Sequence, residues 1–312
     1  MKTSSVQDAS FAGVRVRVIE HAGYRIRVVS SGPRNGPAAI VLPGMGGDPY
    51  VLAPQLRLLR ALGYATHMVQ LPGFGLGPPL RREDAHFRQL AEYVAAATRA
   101  IGVERALLLG HSLGGGLALY VALQDPDLVE RLVLIAPAAV GRSLGWMYRL
   151  LALPMLGRAL LRPAERGSLV FLRHFAVGRL RRDDRRFIDA LARRERRSAT
   201  AALTARAIVW ANEPQGWCRL SCLVVPGDEQ SGFTLARRLA ELRGVPMLVL
   251  WGSDDAVISA RDAARIRVAN PAAEIHVARS VGHLLPLEAP AWCCAHIARF
   301  VARSQVPASV AA

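Results

Sequence analysis

The chain has 312 residues, about half of them hydrophobic (52%), so it can bury a sizeable core as one large domain or as one domain with an insert. Its formal net charge of +16 would suit a nucleic-acid binder, yet Lys2 is the only lysine, and an arginine- and alanine-rich composition is what GC-rich codons produce. No basic motif interleaved with aromatics accompanies the charge, so nucleic acid is not an expected partner; solubility and weak contact with anionic membrane surfaces are what the charge should affect.

The first ten residues are polar and lack the apolar run of a signal peptide. The best candidate for a membrane span, 144–161, is broken by Arg149, Pro154, Gly157 and Arg158, well short of a clean span of about 20 residues. Cys218 and Cys222 have no second pair at zinc spacing, and adjacent Cys293 and Cys294 suit a helix better than a disulfide. Free thiols in a cytoplasmic protein are the expectation.

Residues 14–18 and 24–28 alternate apolar and charged, the period of strands with one wet face, joined as a hairpin near His21-Ala22-Gly23. Arginines on such strands discourage edge-to-edge pairing. The short apolar strand 39–42 runs into Pro43-Gly44-Met45-Gly46-Gly47-Asp48. That loop lacks the Gly-Lys-Ser/Thr of a phosphate cradle, and Pro49 stands where a dinucleotide fingerprint needs its third glycine, so it reads as an oxyanion loop. A helix over 54–62 stops at Gly63, a strand over 65–70 ends in Leu71-Pro72-Gly73-Phe74-Gly75, and a long helix over 83–101 stops at Gly102.

The unbroken apolar run 106–109 then leads into Gly110-His111-Ser112-Leu113-Gly114 and a Leu/Ala/Gly-rich helix over 113–123. A G-x-S-x-G pentapeptide between strand and helix is a nucleophile elbow: the glycines permit close backbone approach and leave the serine exposed beside a helix N-terminus. A strand over 131–135 follows. The strand–helix rhythm implies a parallel sheet covered on both faces, with its site at the strands' carboxyl ends.

After Pro137 the rhythm lapses for about a hundred residues, far beyond a crossover. We read 138–233 as an inserted helical lid, with an apolar part at 144–161 and a basic part at 173–206, and 1–137 with 234–312 as the core. The core resumes with a helix over 234–242, a strand over 247–251 and a helix over 260–268. A strand over 274–278 and a closing helix over 289–302 complete it.

Ser112, Asp255 and His283 each follow a strand, in the order nucleophile, acid, base. A histidine within reach removes the serine proton, and a buried carboxylate fixes the imidazole tautomer and stabilises the imidazolium. The main-chain N–H groups of Leu113 and Met45 are the natural oxyanion donors. Asp254 competes with Asp255. His111 reads as packing and His276 and His296 as structural; no metal spacing is present.

The elbow GHSLGG at 110–115, the loop LPGMGG at 42–47, the turn WGSDD at 251–255 and VGHLLPLE at 281–288 together resemble the α/β-hydrolase family over nearly the whole chain outside the insert. The resemblance implies an α/β fold with a mostly parallel central sheet, helices on both faces and an inserted lid. It implies an ester or related acyl hydrolase needing no cofactor, and it favours Asp255 over Asp254. Pro43 stands where family loops often carry His. Carbon–carbon bond hydrolases and cofactor-free haloperoxidases are rivals on this fold, and a hydrolase-like ligand receptor is a rival of another class. Trp146, Met147 and Met155 in the apolar half of the insert are candidates for a pocket roof over a largely apolar acyl substrate.

Overall fold

The computed structural model describes residues 6–11, 13–44, 49–73, 78, 80, 81, 84, 87–141, 177–182, 184, 186, 187, 189 and 235–303. Nine strands form one sheet in the order β1-β2-β3-β5-β4-β6-β7-β8-β9. They are β1 (Val6–Phe11), β2 (Val14–His21), β3 (Tyr24–Ser31), β4 (Ala38–Leu42), β5 (Ala65–Gln70), β6 (Ala106–His111), β7 (Val129–Ile135), β8 (Met247–Gly252) and β9 (Glu274–Ala278). The first three pair antiparallel, β3 joins β5 antiparallel, and the block from β5 through β4 to β9 is parallel.

Continuous apolar runs make the central strands, because both faces are covered. Ile40, Leu108, Leu132, Leu134, Val249 and Trp251 pack into one core cluster. Their neighbours Val41, Leu107, Leu109, Val133, Leu248 and Leu250 pack into the other. Helices α1 (Ala53–Ala61), α2 (Phe87–Ala100) and α3 (Leu113–Gln124) connect the strands as crossovers. The α2 and α3 side chains join the first cluster, while Leu59 of α1 joins the second.

Beyond β7 the described elements are α4 (Arg179–Arg182), α5 (Ala263–Ala269), α6 (Leu285–Glu288) and α7 (Pro290–Arg303). Cys293, Ile297 and Phe300 of α7 close the second face. Cys293 is a buried free thiol and Cys294 a half-buried one. Residues 138–140 still pack into the first cluster, and the chain rejoins them where Leu235 N–H donates to the Ala139 carbonyl at 2.7 Å. Most of the expected insert 138–233, including Trp146, Met147 and Met155, lies outside the described residues.

Several sequence expectations are corrected. A strand at Val6–Phe11 pairs with β2, so β2 is an interior strand and needs no edge protection from its arginines. Arg17 is half-buried and donates to the Ile101 carbonyl at the end of α2. The helix expected over 83–101 begins only at Phe87. Asp84, ahead of it, instead accepts from Tyr24 at 2.6 Å and Arg81 at 2.7 Å, which ties this stretch to the hairpin. The helix expected over 234–242 is a turn followed by the 3-10 segment Leu239–Leu242. Leu235, Leu239 and Leu242 still face the core, so the apolar spacing is used without a full helix.

Candidate active site

The loops leaving the carboxyl ends of β4, β6, β8 and β9 lie at one edge of the sheet. At the end of β6 the chain must reverse into α3 within one residue. Ser112 takes that corner with φ 54° and ψ −119°, a left-handed backbone that costs a non-glycine residue about 1–3 kcal/mol. The surroundings hold it there: Ser112 N–H donates to the Ile135 carbonyl at 2.9 Å, and the Ser112 carbonyl accepts from Ala138 at 2.9 Å and Gly116 at 3.1 Å. The flanking glycines allow the reversal. A Cβ on Gly110 would overlap the Gly114 carbonyl, and one on Gly114 would overlap the Leu42 carbonyl.

His283 meets this corner from the loop after β9. Its Nε2 lies 2.9 Å from Ser112 Oγ, and its Nδ1 lies 2.8 Å from Asp255 Oδ2. The Asp255 side chain is fully buried and that of His283 is 8% exposed. Asp255 Oδ1 accepts from the N–H groups of Val257 at 2.9 Å and Ile258 at 2.8 Å, so both carboxylate oxygens have fixed partners. Neighbouring Asp254 turns outward and binds the Arg179 guanidinium at 2.8 Å, which holds its carboxyl down at about 2. The structure thus brings Ser112, His283 and Asp255 together and leaves Asp254 outside the group.

Leu113, the other oxyanion candidate described, is buried and opens α3, where N–H groups lack intrahelical partners. Met45 lies outside the described residues. Beside the elbow, Leu42, Pro43, Val69, Leu71, Leu113 and Leu117 line a small apolar cleft. Gln70 supplies its polar group, and the buried Gln70 Oε1 has no hydrogen-bond partner among the described residues.

His111 is more than packing. Its Nε2 lies 2.9 Å from the His283 carbonyl, and the two rings sit 5.0 Å apart. Burial, reinforced by the charge of His283, pushes the His111 imidazole down to about 3. It is therefore neutral, and Nε2–H is the donor to that carbonyl. Position 111 beside the serine was the only sequence signal for this role, and it does not say where the ring points. His276 and His296 pair with each other instead, on β9 and α7, with rings 4.0 Å apart.

Residues 37–290 match the family model described as the alpha/beta hydrolase fold. The chain is 30% identical over 269 residues to the dihydrolipoyllysine-residue acetyltransferase component of the acetoin cleaving system of Cupriavidus necator. That match takes in 85% of this chain but 63% of the relative, so the chain spans less than two thirds of that protein. It is 25% identical over 277 residues to a 2-hydroxy-6-oxononadienedioate/2-hydroxy-6-oxononatrienedioate hydrolase of Comamonas testosteroni, covering 84% of this chain and 86% of the other. Among solved structures, a carboxylesterase from Bacillus subtilis superposes with a TM-score of 0.62 at 22% identity, covering 96% and 92% of the two chains. At that identity the likeness is one of fold.

Proposed function

The chain belongs to the α/β-hydrolase fold family, and from that premise we propose that it is a serine hydrolase cleaving an ester or related acyl bond of a small, largely apolar substrate. The observation that carries the reading is the continuous line of contacts from Ser112 Oγ through the His283 ring to Asp255, at 2.9 and 2.8 Å.

In this reading Ser112 Oγ attacks the acyl carbon while His283 Nε2 takes the hydroxyl proton. Asp255 holds Nδ1–H toward itself and stabilises the imidazolium as it forms. The negative charge that develops on the carbonyl oxygen is met by the N–H groups of Leu113 and Met45, each such donor being worth about 3 kcal/mol in the transition state. Collapse breaks the bond to the leaving group, which departs with the proton from Nε2. Water then gives its proton to Nε2 and attacks the acyl-enzyme, restoring Ser112 as the acid is released. No cofactor enters these steps. Residues 138–233 are assigned as the lid, with Trp146, Met147 and Met155 lining its apolar side; hydrolysis rates that rise with acyl chain length would support that roof, and indifference to chain length would remove it.

The test is a panel of nitrophenyl esters, thioesters, amides and lactones run on the wild type beside Ser112→Ala. The variant should lose at least about 10⁴-fold in kcat and all labelling by a fluorophosphonate. Undiminished turnover by Ser112→Ala sinks the reading. The Comamonas testosteroni relative gives a second reading, hydrolysis of a carbon–carbon bond in a dienoic acid. Turnover of such a substrate with inert esters would favour it.

A further inference from the structure

One carboxylate beside the triad has no part in that chemistry. Glu288 ends α6 and is 1% exposed. Its Oε2 accepts from Gly178 N–H at 2.7 Å, and both its oxygens accept from Gly282 N–H at 3.1 Å. Burial raises its carboxyl above the usual range, and the bonds from Gly282 and Gly178 pull it back. A buried carboxylate is a costly way to fill space, and an apolar side chain of similar size would serve packing better. What Glu288 does is join two N–H groups from segments about a hundred residues apart.

Those segments are the loop that carries His283 and the described stretch at 177–182. The fit is close enough to require glycine at 178: a Cβ there would overlap Gly282 N and the Val281 carbonyl carbon. Three following residues also bond to the loops of the triad. Arg179 binds Asp254, Leu180 N–H donates to the Ser280 carbonyl at 2.7 Å, and Arg181 Nε donates to the Glu288 carbonyl at 3.4 Å. On the other side of His283 in sequence, its own carbonyl is held by His111. The Val281–Gly282 peptide ahead of His283 and the His283 carbonyl after it are thus both held by hydrogen bonds.

We propose that Glu288 is a positioning residue, whose carboxylate clasps Gly178 and Gly282 so that residues 177–182 set the placement of His283 over Ser112. This rests on the serine-hydrolase reading. Misplacement of a reacting group by about 1 Å costs roughly a hundredfold in rate, so the clasp should be felt in turnover and little in substrate binding.

The experiment compares wild type, Glu288→Gln and Gly178→Ala as full chains on a nitrophenyl ester, with active sites counted by complete fluorophosphonate labelling. Glu288→Gln keeps the volume but turns an NH₂ toward one of the two N–H groups. Gly178→Ala leaves the carboxylate intact and breaks the fit from the other side. In both, kcat per labelled site should fall about 10- to 100-fold with KM within about twofold, and the labelling rate should fall in step. Wild-type kcat per labelled site in Glu288→Gln, with the only loss in the fraction of protein that labels, would make the clasp a stability feature and overturn the proposal. Wild-type kcat in Gly178→Ala would overturn the part assigned to residues 177–182. A wild type that never labels sinks the serine reading instead, so the two failures are told apart.

Discussion

His111 belongs to the strand that leads into Ser112 yet bonds to the main chain of His283. Replacing it by Phe keeps a ring in the space but leaves the His283 carbonyl without its donor. The expected cost is about 1–3 kcal/mol, read as a lower urea midpoint at unchanged slope; an unchanged midpoint would show that this bond is not needed. Side-chain direction is also where sequence reading was weakest. Ser112, Asp255 and His283 are legible because each stands in a loop just after a strand in the parallel block of one sheet. The choice between Asp254 and Asp255 is made by contacts the local sequence does not contain: His283 on one, and Arg179, 75 positions away, on the other. Glu288 stands out only as a lone carboxylate in an apolar run, and nothing local shows that Gly178 comes to meet it.

At the scale of elements, the elbow depends on how closely α3 approaches β4. A Cβ on Gly114 meets main-chain atoms of Leu42 and Pro43, which cannot swing aside as a side chain would. Gly114→Ala should destabilise by about 3 kcal/mol, measured by urea unfolding; a loss under about 0.5 kcal/mol, within the range of an ordinary surface change, would mean that helix and strand separate easily. The central strands were legible because covered parallel strands are apolar throughout, and α1, α2 and α7 because their apolar spacing is helical. β1 was not: Gln7, Asp8 and Ser10 break any hydrophobic period, and its place comes from a ladder of main-chain pairs with β2. The segment before Phe87 looked helical in pattern, but Asp84 is drawn to Tyr24 and Arg81, and that tertiary pull outweighs local propensity.

For the molecule as a whole, three histidines make acid the expected route to unfolding. Burial pushes His111 down to about 3, His67 to about 4, with Arg15 and Arg17 adding to it, and His296 to about 4. Unfolded, each binds a proton near its ordinary value of 6.5. Unfolding therefore takes up protons below that value, so their contribution to stability is complete above about pH 6.5 and is lost progressively toward pH 4 and below. Each proton is worth at most about 1.4 kcal/mol per pH unit, and His296, nearer the surface, counts for less. Urea midpoints between pH 7.5 and 4.5 should fall steadily, and His111→Phe should flatten that slope; equal slopes in the two proteins would refute the assignment. The net charge of +16, plain in the sequence, acts in the same direction through self-repulsion.

The main-chain bond from Leu235 to Ala139 joins the two core segments that flank the inserted stretch. Loop closure adds little cost as an inserted stretch lengthens, so the core tolerates changes of length there as long as the bonds of residues 178–181 are kept. In the proposed lid reading, recognition of new substrates can be exchanged there like a fitted attachment, without redesign of the sheet. The exchange carries one condition: any replacement must still bring a glycine N–H to the waiting carboxylate of Glu288, or it will bind its ligand and convert it slowly.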